Sequence, residues 1–241
     1  MASRPTPPPN ASSQHGIPAK STLWLPMRVW DGPVRLFHWA LLVLVAVSWS
    51  SIEIFNNMVV HMRSGMAILA LLLFRIVWGF IGSETARFSH FLGNPFNAVT
   101  HLMHMTKREP DTQIGHNAAG GWMVLAMLLV LLAQVTTGML ASDADSFVEG
   151  PLNHLVGGAW GAWALAQHKL LFTVIQVLVV LHILALISYA VLKRHNLVRP
   201  MVTGKKRLPA ATRQPQMRSP LLALAVLAGA AIVVWLLVTK L

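Results

Sequence analysis

The stretch that decides the fold is HKLLFTVIQVLVVLH, residues 168–182, in which thirteen mostly apolar residues separate two histidines. An α-helix turns about 100° and rises about 1.5 Å per residue, so His182 lies about 40° short of four whole turns from His168 and about 21 Å along the axis. Both imidazoles therefore lie on one face of an apolar helix, most of a membrane thickness apart.

The composition indicates an integral membrane protein. Of the 241 residues, 55% are hydrophobic and only 11% are charged, whereas soluble domains are about 25% charged. The chain has no cysteine, which excludes disulfides, iron–sulfur clusters and covalently attached c-type haem. A metal cofactor would therefore need histidine, methionine or oxygen ligands, and the chain has eleven histidines.

Five apolar segments have the length of about 20 residues that a bilayer core requires. They are residues 36–54, 60–81, 118–140, 168–192 and 221–238. This pattern predicts an all-α integral membrane protein, in which a four-helix transmembrane bundle is followed by a fifth C-terminal transmembrane helix. The lipid bilayer is thus the first expected partner.

The distribution of charge predicts the orientation. Lysine and arginine precede the first span, lie between the second and third, and cluster most densely after the fourth, whereas residues 141–167 contain neither and carry Asp143, Asp145 and Glu149. Because cytoplasmic loops carry the excess of Lys and Arg, the N-terminus is predicted to be cytoplasmic and the C-terminus periplasmic. The net charge of +11 is thereby explained without nucleic-acid binding.

Four histidines lie within or at the ends of the predicted spans: His38, His61, His168 and His182. His38 and His182 lie toward the cytoplasmic side, and His61 and His168 are predicted at the outer ends of their helices. Low-spin haem iron takes one axial imidazole from each face, so the pattern predicts two b haems, an inner one on His38 and His182 and an outer one on His61 and His168. Taken singly, a histidine in a membrane span is more often an interhelical hydrogen-bonding residue than a ligand.

This pairing places a demand on the fourth span. His38 follows Arg35 by three residues, whereas His182 precedes Lys193 by eleven. The fourth helix is therefore expected to project beyond the lipid on the cytoplasmic side.

Arg75 follows His61 by fourteen residues, which places it on the stripe of His61 at the depth of the inner haem. It can bind a haem propionate or reach lipid headgroups. His116 is placed like a ligand, but no coordination position is left for it. Gln134 and Gln176 are buried polar candidates for contact with a quinone, although packing between helices is the commoner role of such residues.

Five segments together resemble the prokaryotic cytochrome b561 family, close to the b-type subunit of nickel–iron hydrogenases. They are VWDGPVRLFHW (29–39), HMRSGMAIL (61–69), RIVWGFIGSETARFSHF (75–91), HKLLFTVIQVLVVLH (168–182) and NLVRPMVTGKKR (196–207). The resemblance implies a dihaem four-helix bundle with ligands from the first, second and fourth helices, which correspond to His38, His61, His168 and His182.

The resemblance also implies a domain plan and a cellular role. Residues 1–26 form a disordered proline-rich cytoplasmic tail, 27–208 the dihaem domain, and 209–241 a linker and an extra helix that the family pattern lacks. Such cytochromes lie in the bacterial inner membrane, hold two non-covalent haem b groups, and carry electrons between a periplasmic redox protein and the quinone pool.

Three functions compete at this point. The main hypothesis is an electron-transfer cytochrome whose outer partner, a c-type cytochrome or a hydrogenase-like protein, docks near residues 141–167 through their acidic side chains. The second is a stand-alone quinone reductase that takes electrons from a small reductant such as superoxide. The third, a histidine-lined transporter or metal permease, predicts repeated polar residues within the spans, and these are nearly absent.

Overall fold

The structure, a computed structural model, describes residues 23–103 and 110–240. Five of its helices are long and apolar enough to cross a membrane, which confirms the predicted spans. In chain order the elements are β1 (Trp24–Arg28), α1 (Gly32–Glu53), α2 (Met58–Ile81), α3 (Phe88–Phe91), α4 (Pro95–Met103), α5 (Ala118–Leu140), β2 (Ser142–Asp143), β3 (Val148–Glu149), α6 (Gly158–Ser188), α7 (Val198–Thr203), β4 (Lys205–Pro209) and α8 (Pro220–Lys240).

Polar residues cap three of the long helices. The side chains of Asp31, Asn57 and Asn117 accept hydrogen bonds from backbone N–H groups at the starts of α1, α2 and α5. These N–H groups have no partner within the helix, and a side-chain oxygen at the N-cap supplies one. The second carboxylate oxygen of Asp31 accepts a hydrogen bond of 2.9 Å from the indole of Trp78, which ties the start of α1 to the end of α2.

Helix α2 is the centre of the bundle. It packs against α1, α5 and α8, and α5 packs in turn against α6. Leu72 and Trp78 of α2 are fully buried, and Ala230 and Val234 of α8 belong to the same core cluster. Among the described residues, α1 and α6 make no extensive contact with each other, so they flank the interior of the bundle from two sides.

Helix α6 begins ten residues earlier than predicted, at Gly158 instead of residue 168. Residues 158–167, GAWGAWALAQ, contain mainly apolar and helix-favouring side chains, with no proline and no glycine after Gly161, so nothing ends the helix at His168. The expectation that His168 lies at a helix end was therefore wrong. A π-helical turn, Tyr189–Lys193, continues α6 at the other end. His168 therefore lies ten residues after the start of α6, and His182 lies eleven residues before the end of this turn. The extra length lies beyond His168 as well as beyond His182.

Short strands make the chain less purely helical than predicted. Strand β1 pairs antiparallel with β4, with Trp24 opposite Pro209 and Arg28 opposite Lys205. Residues 24–26, assigned above to the disordered tail, thus belong to a strand, while residues 1–22 lie outside the described part of the chain. A second pair, β2 with β3, forms a hairpin after α5.

Glu84 holds the linker to α8 against the end of α2. Its carboxylate accepts hydrogen bonds from the guanidinium of Arg213 and from the backbone N–H of Gln216 at 2.9 Å. The Glu84 N–H donates to the Gln216 carbonyl, and Ser83 Oγ accepts from the Arg218 N–H. These contacts fix the direction from which α8 enters the bundle.

We expect Glu84→Gln to loosen the linker. The Gln216 N–H and then the Arg213 charge hold the pKa of Glu84 below its usual range. A carboxylate whose pKa is depressed by folding stabilises the folded state at pH values above its pKa in the unfolded chain. This stabilisation is lost as the pH falls through the pKa of the folded state. Because Glu84 is partly exposed, the loss in free energy of unfolding is about 1 kcal/mol or less.

The measurement is the rate of protease cleavage within residues 209–219 between pH 7 and pH 3. Wild type should become more sensitive as the pH falls, and Glu84→Gln should be sensitive already at pH 7. Glu149→Gln, an exposed glutamate in β3, is the control for the lost charge. Equal cleavage of the wild type and Glu84→Gln at pH 7 contradicts the role given to Glu84.

Candidate functional site

We call the end of the bundle where α1 begins and α2 ends its inner end, and the opposite end its outer end. The outer site is built on His61 of α2 and His168 of α6. Their ring centroids are 6.0 Å apart and the rings are nearly perpendicular, at 88°. Two imidazoles from different helices thus face each other across the interior, as their predicted pairing requires.

Each outer imidazole is oriented by a backbone carbonyl. Nδ1 of His61 lies 3.0 Å from the carbonyl oxygen of Ser48 and 3.1 Å from its hydroxyl. Nδ1 of His168 lies 2.8 Å from the carbonyl oxygen of Gln134. An Nδ1–H that donates to a carbonyl leaves Nε2 as the acceptor nitrogen, which is the arrangement of metal-binding histidines. In His168 this Nε2 accepts a hydrogen bond of 3.3 Å from the side-chain amide of Gln134.

A cavity of about 380 Å³ surrounds the outer pair, within the range of about 300–1,000 Å³ for ligand and cofactor sites. Its wall is mainly apolar, with Met62, Met66 and Phe172 among its lining residues. Three charged side chains, those of Glu53, Asp143 and Lys169, also line it. The site is thus a mostly hydrophobic cleft that contains two imidazoles and a few charged groups.

Two glycines shape this cavity. Gly65, one turn after His61, faces it, and a Cβ built at Gly65 would meet no atom within 4 Å. A Cβ built at Gly138 of α5 would lie 2.7 Å from Cε1 of His168, closer than non-bonded carbons approach. Gly138 therefore lets the His168 ring lie directly against α5, and Gly65 leaves open space beside His61.

The inner site gathers His38 of α1, Arg75 of α2, His182 of α6 and His116, which immediately precedes α5. Burial, followed by the positive charges of Arg75, His182, His90 and His38, lowers the pKa of His116 to about 3. All of these groups therefore lie near His116. The His116 ring packs between Trp30, at a centroid distance of 4.6 Å, and Phe91, at 4.8 Å.

Arg75 is 2% exposed, so contact with lipid headgroups does not fit its position. Its guanidinium lies 5.1 Å from the ring centroid of Phe88 and 6.0 Å from that of Phe91. No carboxylate lies within salt-bridge distance of it among the described residues. The positive charge is thus held in the interior by aromatic rings without an ion-pair partner.

Five buried side-chain atoms have no hydrogen-bond partner in the described part of the chain. They are His38 Nδ1, Arg75 Nη1, His116 Nδ1, Trp122 Nε1 and Gln134 Oε1. Buried polar groups are otherwise almost always paired, because an unpaired one costs about 1–3 kcal/mol. Four of these atoms belong to the inner half of the bundle, and Gln134 borders the outer cavity.

Some of these groups are not apparent from the sequence. No sequence pattern indicates a role in the site for Ser48, Gly138 or Asp31, and the predicted ligand pairs leave no role for His116. Ser48 and Gln134 act on the outer histidines through backbone carbonyls, which no side-chain pattern reveals. For Asp31 the available signal was its place before Gly32 and Pro33, which is a helix start. Arg35, three residues before His38, donates hydrogen bonds to the carbonyls of Met201 and Val202.

The comparisons with known proteins agree with this architecture. Two relatives, both called a probable Ni/Fe-hydrogenase B-type cytochrome subunit, are 22% identical to the chain. The match to the protein of Bradyrhizobium diazoefficiens extends over 210 residues and covers 74% of this chain and 85% of the relative. The match to the protein of Rhizobium leguminosarum bv. viciae extends over 209 residues and covers 74% of this chain and 87% of the relative. No solved structure matches the chain. A family model described as prokaryotic cytochrome b561 matches residues 29–204. The chain therefore belongs to the prokaryotic cytochrome b561 family of membrane-embedded, electron-transferring b-type cytochromes.

Proposed function

We propose that the protein is a dihaem electron-transfer subunit. In this proposal His61 and His168 bind the iron of an outer haem b, and His38 and His182 bind that of an inner one. The observation that carries the proposal is the outer pair, in which two imidazoles from different helices face each other with each Nδ1 on a backbone carbonyl.

The distance between the outer rings fits a metal ion held between them. A metal–imidazole bond is about 2 Å long, so a metal ion bound by two imidazoles would lie between rings whose centroids are roughly 6 Å apart. The observed distance is 6.0 Å. The open space at Gly65 and the mostly apolar wall of the cavity suit a flat, hydrophobic macrocycle.

The residues of the inner site fit the carboxylate groups of a haem. Haem b carries two carboxylates, and Arg75 has a buried Nη1 without a partner. A propionate beside Arg75 would satisfy that donor by a charge-assisted hydrogen bond. His116 Nδ1 and His38 Nδ1, also buried without partners, mark the inner half of the bundle as a place where further polar contacts are needed.

Haem b supplies reversible one-electron redox chemistry when bound. The chain's own part is to fix four imidazoles at two levels, to exclude water with apolar helices, and to hold a compensating positive charge at Arg75. The proposed activity is electron transfer between a redox partner at the outer end and the membrane quinone pool. The relatives' names point to a hydrogenase as one such partner, and a c-type cytochrome is the alternative.

The charge pattern supports the proposed orientation. The N-terminus is placed in the cytoplasm and the C-terminus in the periplasm of a bacterial inner membrane, with α8 as a fifth helix beside the four-helix bundle. The periplasmic face then carries Asp143, Asp145 and Glu149 of the β2–β3 hairpin, which suit a partner with a basic surface.

Haem counting tests the ligand assignment. Purified wild type should contain two b haems per chain in a pyridine haemochrome assay, and His168→Ala and His182→Ala should each retain one. His154→Ala, at an exposed loop position, is the control and should retain two. Wild-type protein with one haem or none, or a full complement in His168→Ala, would exclude the proposed dihaem arrangement.

Gly138→Ala tests the outer site without removing a ligand. The added methyl group would force the His168 ring away from α5, and displacement of a ligand's support typically costs about 10- to 100-fold in metal affinity. We expect Gly138→Ala to lose the outer haem at dilutions at which the wild type keeps both.

Gly229→Ala in α8 is the matched control, because a Cβ built there meets no atom within 4 Å. It should bind haem like the wild type. Unchanged haem retention in Gly138→Ala would show that His168 does not need its contact with α5.

A further inference from the structure

We propose that the outer haem has the lower reduction potential of the two, because the chain makes the outer imidazoles stronger electron donors and buries the positive charge of Arg75 beside the inner ones. This inference rests on the proposed dihaem function and adds to it an ordering of the two sites. It follows from a difference in hydrogen bonding between the two histidine pairs and from a difference in charge between their surroundings.

Both outer imidazoles donate Nδ1–H to a backbone carbonyl. The distances are 3.0 Å from His61 to Ser48 and 2.8 Å from His168 to Gln134. A hydrogen bond of this kind pulls the Nδ1 proton away from the ring and raises the basicity of Nε2. A more basic axial ligand stabilises ferric over ferrous iron, because the ferric ion carries the greater positive charge. Two such bonds therefore lower the potential of the outer site.

The inner imidazoles lack these bonds. His38 Nδ1 is buried and has no partner among the described residues, and neither ring nitrogen of His182 makes a hydrogen bond within the same part of the chain. Their Nε2 atoms gain no added basicity from a carbonyl. The inner site therefore stabilises ferric iron less than the outer site does.

The charges act in the same direction. Arg75 is buried over the ring of Phe91, which packs on His116 at the inner site. No carboxylate of the described residues lies within salt-bridge distance of Arg75, so Asp31 offsets its charge only from farther away. The outer cavity instead has two carboxylates, Glu53 and Asp143, against one ammonium group, Lys169. A positive charge favours the reduced state of a nearby iron and a negative charge favours the oxidised state, most strongly where the dielectric constant is low.

Together these differences make electron transfer favourable from the outer end toward the inner end. An electron supplied to the haem at His61 and His168 lowers its free energy by moving to the haem at His38 and His182. The chain therefore suits a donor at the outer surface and an acceptor at the inner side of the membrane. A protein built to oxidise quinol on the inner side and reduce an outer partner would be expected to show the opposite ordering.

Optical redox titration of the haem-loaded protein and its single-haem variants tests the ordering. His168→Ala, which keeps the inner haem, should titrate near the higher of the two wild-type potentials, and His182→Ala near the lower. The reverse assignment overturns this inference and leaves the dihaem proposal intact. A wild-type haem content other than two per chain rejects the dihaem proposal itself.

Arg75 gives a second, independent test. Arg75→Gln should shift the higher-potential wave downward and leave the lower-potential wave in place, whereas Arg75→Lys, which keeps the charge, should restore most of the shift. Arg199→Gln removes an exposed charge elsewhere and should shift neither wave. A downward shift of the lower-potential wave in Arg75→Gln, or equal shifts in Arg75→Gln and Arg75→Lys, contradicts the role given to the Arg75 charge.

Discussion

The fixed rise of an α-helix is the constraint on which the rest of the structure depends. Two residues fourteen positions apart on one helix lie about 21 Å apart and nearly on one face. In α6 these residues are His168 and His182, and in α2 they are His61 and Arg75. Helices α2 and α6 have the same internal spacing and both pack against α5, so their polar residues lie at two levels of the bundle. The bundle then needs only to hold the helices in register.

Helix α2 provides that register because it is packed on three sides. Helices α1, α5 and α8 contact it, and its end is fixed both by the Trp78–Asp31 hydrogen bond and by the linker that Glu84 binds. The extra helix α8 is thus more than a membrane anchor, since it covers a side of the helix that carries His61 and Arg75. The buried guanidinium of Arg75 in α2 is costly to leave unpaired. Because α2 is held rigidly, the position that a partner of Arg75 must occupy is also fixed.

Much of this was accessible from the sequence, and the failures have physical causes. The five spans follow from hydropathy because a bilayer demands length and apolarity from each segment separately. The approach of His61 to His168 follows because helical spacing is rigid. The start of α6 was misplaced because His168 was taken as a boundary, although the apolar residues before it continue the helix. The β1–β4 pairing was missed because Trp24–Arg28 contains a proline and finds its partner about 180 residues later, a contact that no local pattern encodes.

The least accessible features are the ones that distinguish the two sites. His61, His168, His38 and His182 look alike as residues in apolar helices, and spacing alone makes their two sites equivalent. The difference comes from groups that sequence patterns do not display: the carbonyls of Ser48 and Gln134, which any residue at those positions would possess. Whether a carbonyl within a helix can reach a neighbouring imidazole depends on how closely the two helices pack, and Gly138 allows that approach for His168. In this bundle helix packing therefore controls which backbone group reaches an imidazole, and a glycine with no functional group of its own helps to set that contact.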